Sequence, residues 1–445
     1  MKKIVILGGG ISGFGSAVLA RKHGFEVFLS DSGSLSAEVK SRLDAMGASW
    51  EEGGHTLERI LAADEVIKSP GIPDTAPAVV ALLERGVPVI SEIEFAGRYM
   101  GTARTICITG SNGKTTTTTL ACEMLKDAGL DVGLGGNIGE SFALQVATAP
   151  RDWYVLELSS FQLDGMKEFR ADIAVLLNIT PDHLDRYDHS LDAYAASKMG
   201  VTRNQTAGDF FIYCADDPVT VKMLSKSELP MRTLPFSVKH IPTQGARLDG
   251  GTIRAKVGTR TLRLDTGRVK LRGIHNTYNI MAASLAALAA GVKPESIART
   301  VERFEGIPHR LQSLGTHGGV EWINDSKATN VDAVWYALQS MTRPVVWIAG
   351  GTDKGNDYEA LMPFTSKIKA LVCMGVDNSK LTRAFAGRIS GIHDTGSLDE
   401  AMRRAREAAS PGDVVLLSPA CASFDLFKNY EQRGQLFKEW IENNL

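Results

Sequence analysis

Apolar residues in this chain fall into short continuous runs, separated by longer stretches in which apolar positions recur every three or four residues. Ile4-Val5-Ile6-Leu7 is such a run, and it predicts a strand buried on both faces. Residues 14–23 read as a helix closed by Gly24, and residues 26–30 as the next strand. The alternation continues to residues 87–90 and a short helix over 92–99, which places a first boundary near Gly101. A second series opens at 105–109, where 153–158 and 173–177 are apolar enough for central strands. From about 232 to 272, Gly250, Gly251, Gly258 and Gly267 separate short alternating runs, which predict a small antiparallel insertion. An alanine-rich helix over 279–290 follows, and a second boundary falls near 304–308. The last segment resumes the rhythm, with strands at 345–349, 370–374 and 414–417. The pattern is that of an α/β protein with mainly parallel sheets, divided at 1–101, 102–306 and 307–445.

Composition narrows the class. The length of 445 residues fits three domains of about 150 residues each. With 49 Lys+Arg against 51 Asp+Glu, the chain has no overall field to hold nucleic acid or anionic lipid, and neither is an expected partner. At 44% hydrophobic and 22% charged it is an ordinary globular composition. The best candidate for a membrane span, residues 281–290, is far shorter than the roughly 18 residues required. Cys107, Cys122, Cys214, Cys373 and Cys421 are scattered, with no C-x-x-C pair, so reduced thiols and a cytoplasmic location are expected. Met1-Lys2-Lys3 and the apolar run after it imitate a signal peptide, but three glycines break that run after four residues.

Those glycines begin Gly8-Gly9-Gly10-Ile11-Ser12-Gly13, a G-x-G-x-x-G turn between strand and helix, with Asp31 at the end of the second strand. Such a turn brings backbone N–H groups and a helix N-terminus to a diphosphate. A nicotinamide dinucleotide and a uridine diphosphate sugar make the same demands on it, and glycines that merely allow close helix packing would look alike. Gly110-Ser111-Asn112-Gly113-Lys114-Thr115 says more. Its N–H groups can cradle oxyanions, Lys114 can reach the β- and γ-phosphates, and the Thr115 hydroxyl can ligate magnesium. Only two residues separate its glycines, where the general phosphate loop has four.

Carboxylates at neighbouring strand ends fit a magnesium nucleotide. Glu157 closes one strand, and Asp182, His183 and Asp185 follow the next. Alone, His183 reads as a cap or surface residue, and Lys198, on the helix that follows, as a solvated charge.

The short loop Thr109-Gly110-Ser111-Asn112-Gly113-Lys114-Thr115 resembles that of the Mur ligase family, ATP-dependent amide-forming enzymes of peptidoglycan precursor synthesis. The resemblance extends over nearly the whole chain. It includes Ser69-Pro70-Gly71, Gly135-Gly136-Asn137-Ile138-Gly139, the segment from Glu157 to Leu163, His275-Asn276 with Asn279, Pro308-His309-Arg310 and Asn324 to Asn330. Ser418-Pro419-Ala420-Cys421-Ala422-Ser423-Phe424-Asp425, continuing to Glu431-Gln432-Arg433-Gly434, is similar to the branch that adds D-glutamate to UDP-N-acetylmuramoyl-L-alanine.

The resemblance implies a Rossmann-like N-terminal domain for the UDP substrate, a P-loop-type central ATPase and a Rossmann-like C-terminal domain for D-glutamate. It implies UDP-substrate contacts from Ile11, Ser12, Asp31, Ser32, Ser69, Gly71 and Asn137. Relatives often carry a basic residue just after the first-domain acid, whereas Ser32 and Gly33 follow Asp31 here. ATP would be held by Gly110 to Thr115 with Thr116, Asn276, Asn279, Arg310 and Asp325. Two magnesium ions are implied, with Thr115, Glu157, His183 and a carbamylated Lys198 as ligands, so that Lys114, Glu157, His183 and Lys198 carry the catalysis. Lys327, Thr329, Lys354, Ser423 and Phe424 would receive D-glutamate. The chain is expected to act as a monomer. Another Mur ligase or a folylpolyglutamate-synthase-like ligase, a nicotinamide oxidoreductase fused to an ATPase, and a nucleotide-gated binding module fit fewer of these motifs.

Overall fold

In a computed structural model, residues 1–182, 184–225, 228–240, 242–353 and 355–445 are described. Among them the strands form three sheets. Residues 1–304 make one compact unit and residues 305–445 another.

The first sheet contains β1 (Lys3–Leu7), β2 (Glu26–Ser30), β3 (Ser49–Glu51), β4 (Glu65–Lys68) and β5 (Val89–Ile90), in the order β3-β2-β1-β4-β5 and parallel throughout. Ile4 to Leu7 are fully buried, as the uninterrupted apolar run requires. Strands are added to one side of β1 up to β3 and to its other side from β4, so a crevice opens beyond the carboxyl ends of β1 and β4, where ligands bind in such sheets.

The second sheet contains β6 (Arg104–Thr109), β7 (Val132–Gly136), β8 (Trp153–Glu157), β9 (Ile173–Leu176), β10 (Phe210–Cys214), β11 (Arg232–Ser237), β12 (Gly245–Asp249), β13 (Thr252–Val257) and β14 (Arg260–Asp265). Its order is β14-β13-β12-β11-β10-β9-β6-β8-β7. The antiparallel insertion expected over 232–272 is smaller than that span: β11 runs parallel to β10, and β12 parallel to β11. Only β12, β13 and β14 form an antiparallel meander, and they extend the central sheet. Gly250 and Gly251, with φ of 53° and 79°, make the two-residue turn whose twist suits the hairpin. The alanine-rich helix starts earlier than expected, at Ile274, and runs to Ala290 because Gly273 lets the chain enter it with φ of 97°. Its small side chains let it lie close across β9 to β13 and beside the helix Lys114–Asp127.

The two sheets of this unit share an apolar layer. Ile4 and Leu29 from the first, Ile93 and Phe95 from the connecting helix Glu92–Gly97, Tyr154 and Phe211 from the second, and Phe142 from the helix Phe142–Thr148 belong to one cluster.

In the second unit, β15 (Gln312–His317), β16 (Val320–Asn324), β17 (Val345–Gly350), β18 (Ile368–Met374), β19 (Gly391–Thr395) and β20 (Val414–Ala420) are ordered β15-β16-β20-β17-β18-β19. Only β15 is antiparallel. The carboxyl ends of β16, β20 and β17 are therefore neighbours.

Candidate active site

The loop from Gly110 to Lys114 joins β6 to the helix Lys114–Asp127. It is held from outside by the segment after β9. Ser111 N–H donates to the Asn178 carbonyl (2.9 Å), Asn112 N–H to Asn178 Oδ1 (2.8 Å), and Thr180 N–H to Ser111 Oγ (2.9 Å). Gly113 (φ 84°) ends the loop where a Cβ would lie 2.3 Å from Asn279 Oδ1. Asn279 also accepts from Thr117 Oγ1 (3.3 Å) and donates to Asn276 Oδ1 (3.2 Å). Asn276 and Asn279, one turn apart on their helix, are thus brought to the loop's end. The Thr115 and Thr116 side chains are buried in the first turn.

Two lysines converge on the same loop. Lys114 Nζ donates to the carbonyls of Gly110 (2.7 Å) and Ser111 (2.9 Å), and Lys198 Nζ donates to the Gly110 carbonyl (3.0 Å). Lys198 is 1% exposed and stands over the Tyr194 ring, 4.6 Å from its centroid. Burial first, and then the charge of Lys114, pull its amine down to about 7, while Asp182 and Asp164 oppose the shift. A substantial fraction of neutral amine is therefore present at physiological pH.

Glu157 ends β8 and is 2% exposed. Its Oε1 accepts from Asn137 Nδ2 (3.0 Å), while Oε2 is buried with no hydrogen-bond partner. A buried carboxyl oxygen without a partner is costly unless a donor or a cation completes it. Glu157, paired across the sheet with Ile108 of β6, and Thr115 in the first turn after the loop each offer the kind of oxygen that magnesium takes. His183 lies outside the described residues. Among the described residues no three His, Cys, Asp or Glu side chains cluster as a complete protein metal cage.

A cavity of about 280 Å³ collects these groups: Lys114, Asn137, Asp182 and Lys198 line it together with Gly71, Ser159 and Ser160. Gly71 comes from the first sheet's loops, so residues expected at the UDP substrate and at the triphosphate meet here.

Other UDP-substrate candidates cluster at β1. Asp31 Oδ2 accepts from Gly9 N–H (2.5 Å) and Oδ1 from Gly33 N–H (2.7 Å), so both oxygens brace the turn. Ser69 Oγ donates to the Gly8 carbonyl (3.4 Å). Ile11 and Ser32 are exposed and Ser12 is half-buried.

The second unit gathers its own set. Lys327 and Thr329 follow β16, and Ser423 and Phe424 follow the neighbouring β20. Ser423 is buried and Phe424 is 67% exposed. Thr352 N–H donates to the Ala422 carbonyl (2.9 Å), tying the loop after β17 to them; Lys354 in that loop lies outside the described residues. Asp325 is buried, not displayed at the rim. Ser418 Oγ donates to one of its oxygens (2.8 Å) and Leu311 N–H to the other (3.1 Å). Burial pushes its carboxyl up to about 7, against the pull of Ser418 and Arg310.

Sequence reasoning assigned no role to Arg433. It is wholly buried and donates to Ser326 Oγ and the Ser326 carbonyl (both 2.9 Å) and to the Cys421 carbonyl (3.3 Å). One guanidinium so pins the two loops that carry Lys327 and Ser423, and burial lowers its pKa to about 10. The only signal was its place in Glu431-Gln432-Arg433-Gly434.

Family models match in chain order. The MurD N-terminal domain covers residues 3–77, the Mur ligase middle domain 108–287, and the Mur ligase glutamate ligase domain 309–421. A UDP-N-acetylmuramoylalanine–D-glutamate ligase of Bacteroides fragilis is 50% identical over 446 residues, covering 99% of each chain. The protein of the same name from Christiangramia forsetii is 48% identical over 443 residues, again covering 99% of each. Among solved structures, MurF ligase from Thermotoga maritima in complex with ADP superposes with a TM-score of 0.61 at 16% identity, covering 96% of this chain and 99% of that one. A pseudomurein peptide ligase type C from Methanothermus fervidus gives 0.59 at 21% identity over the whole of both chains.

Proposed function

The chain belongs to the Mur ligase family, and we propose that within it the chain joins D-glutamate to UDP-N-acetylmuramoyl-L-alanine at the expense of ATP. The observation that carries this reading is the cavity where the phosphate-loop lysine, a buried second lysine and loops of the first sheet meet. Full-length relatives near half identity, carrying that activity in their names, support the choice of acceptor and amino acid.

The chemistry is carboxylate activation. An oxygen of the alanine carboxylate attacks the γ-phosphorus of ATP, the bond to the bridging oxygen breaks, and ADP leaves with its electron pair. The neutral amine of D-glutamate then adds to the acyl carbon of the acyl phosphate. The tetrahedral intermediate expels phosphate, and the nitrogen loses its extra proton. Two anions must meet in the first step, so a preorganised positive field lowers its barrier. Lys114, at the end of the loop and lining the cavity, provides that field.

Thr115, Glu157, His183 and Lys198 as its carbamate would hold two magnesium ions, whose role is to neutralise charge on the transferring phosphoryl group. Gly110 to Thr116, Asn276, Asn279, Arg310 and Asp325 would hold ATP. Ile11, Ser12, Asp31, Ser32, Ser69, Gly71 and Asn137 would hold the UDP-linked acceptor, and Lys327, Thr329, Lys354, Ser423 and Phe424 the amino acid. No helix among the described residues is long and apolar enough to cross a membrane. Nucleotide substrates and five free, buried cysteines support a cytoplasmic location. One chain supplies every proposed contact, so a monomer suffices. The proposed division is 1–101 for the UDP substrate, 102–306 for ATP and 307–445 for D-glutamate.

Phosphate release tests the reading. Release should require ATP, magnesium, UDP-N-acetylmuramoyl-L-alanine and D-glutamate together. Release without either acceptor would indicate a nucleotide switch instead.

A second expectation concerns the loop's end. Gly113→Ala puts a methyl group against Asn279 in a backbone conformation that costs roughly 1–2 kcal/mol for residues with a Cβ. The Michaelis constant for ATP should rise by about tenfold or more, with little change for the UDP-linked acceptor. Steady-state kinetics with each substrate varied in turn would show it, and equal changes in both constants would contradict it.

A further inference from the structure

Between the two substrate loops of the first unit lies a buried carboxyl that the proposed reaction does not use. Glu92 opens the helix Glu92–Gly97, yet it is only 2% exposed. A glutamate in a first helical turn ordinarily faces water and its own helix's N-terminus. Here Oε1 accepts from the Ser141 hydroxyl (2.5 Å) and from Ala143 N–H (3.0 Å). Ser141 caps the helix Phe142–Thr148, so Glu92 serves the N-terminus of a helix some fifty residues away.

Two further observations converge on this point. Burial pushes the Glu92 carboxyl up, and Ser141 first, then Ala143 and Ser12 from the glycine turn after β1, oppose that push, while Glu92 Oε2 is buried without a hydrogen bond. One turn along the same helix, Gly15 packs so tightly that a Cβ there would lie 1.9 Å from Ser141 Oγ. Ser12 and Gly15 share a helix face, three residues apart. On the other side, the segment between β7 and Ser141 carries Asn137, whose amide donates to Glu157 Oε1 (3.0 Å) and which lines the cavity.

We infer that Glu92 is a positioning residue for the UDP-linked acceptor. It fixes the glycine turn holding Ser12 against the loop holding Asn137, so that the acceptor's nucleotide end and its reactive end are gripped at a set separation. A buried, hydrogen-bonded carboxyl specifies one arrangement of three elements, where an apolar contact would tolerate several. The inference rests on the ligase reading above.

Kinetics of wild type, Glu92→Ala and Glu92→Gln test it, varying UDP-N-acetylmuramoyl-L-alanine at saturating ATP and then ATP at saturating acceptor. Glu92→Ala should raise the acceptor's KM by about tenfold or more and leave the KM for ATP within about twofold. In Glu92→Gln the carboxamide oxygen still accepts from Ser141 and Ala143, and the acceptor's KM should return to within about threefold of wild type. An unchanged acceptor KM in Glu92→Ala, or equal changes in both constants, overturns the inference and leaves a purely structural carboxyl. If Glu92→Ala does not fold, Ser141→Ala decides in the same assay: the same split supports the inference and its absence overturns it. An inactive wild type overturns the ligase reading and this inference with it, whereas an active wild type with unsplit constants overturns only the inference.

Discussion

Replacement of Lys198 by alanine should lower turnover by at least about 10³-fold while nucleotide binding persists. The side chain is 1% exposed and its amine is pulled down to about 7 from the ordinary 10.5. Below that pH the ammonium form dominates and has no lone pair. As pH rises through it, the neutral amine accumulates and can add to carbon dioxide. The N–C bond forms, one N–H proton is released, and a cation becomes a carbamate anion able to bind magnesium. An unperturbed lysine would remain almost wholly protonated at neutral pH and react slowly. Enzyme stripped of carbon dioxide should therefore lose activity and regain it on addition of bicarbonate, faster at pH 8 than at pH 6. Wild-type-like turnover in Lys198→Ala, or indifference of stripped enzyme to bicarbonate, would refute the assignment.

Lys114→Ala should produce a loss of similar size, about 10³-fold or more in turnover, with little effect on acceptor binding. Its ammonium bridges the Gly110 and Ser111 carbonyls at the mouth of the loop, beside the cavity. An arginine there should not restore activity, because a broad planar fork cannot replace a compact point charge inside a short loop. Removing this charge also removes part of what holds the Lys198 amine down. The Lys114→Ala enzyme should then need more bicarbonate, or a higher pH, to reach its residual maximum. Acceptor-dependent ADP formation in a single turnover, measured across bicarbonate concentrations, would show both effects. Retention of near-normal ADP formation would remove Lys114 from the mechanism.

The strands that the sequence showed clearly are those buried on both faces. β1, β8, β17 and the first half of β20 are nearly uninterrupted apolar runs, and each lies where the pattern put it. β11 was harder to read. Arg232-Thr233-Leu234-Pro235-Phe236-Ser237 mixes polar and apolar positions, which suits an antiparallel edge as well as the parallel neighbour of β10 that it is. The phosphate loop and Glu157 were legible because their chemistry is written into adjacent residues. What grips the loop was not. Asn178 reaches the loop at Asn112 from 66 residues away, and Asn279 reaches Thr117 in the helix behind it from 162 residues away, contacts that only the folded sheet creates. Asp31 was legible as the acid that ends the second strand, but that its two oxygens brace the N–H groups of Gly9 and Gly33 depends on backbone direction. Nothing near Glu92 in the chain announces Ser141, 49 residues further on.

The apolar layer joining the two sheets of the first unit bears on modularity. Ile93, Phe95 and Ala96 of the connecting helix are wholly buried in it, and Glu94 beside them accepts from three successive N–H groups at Lys167, Glu168 and Phe169. A gene fragment ending near residue 101 would strip this helix of the surfaces that cover it and leave a greasy flank in water. Recombination that swaps nucleotide-recognising halves between enzymes of this architecture would have to carry the matching underside along with them.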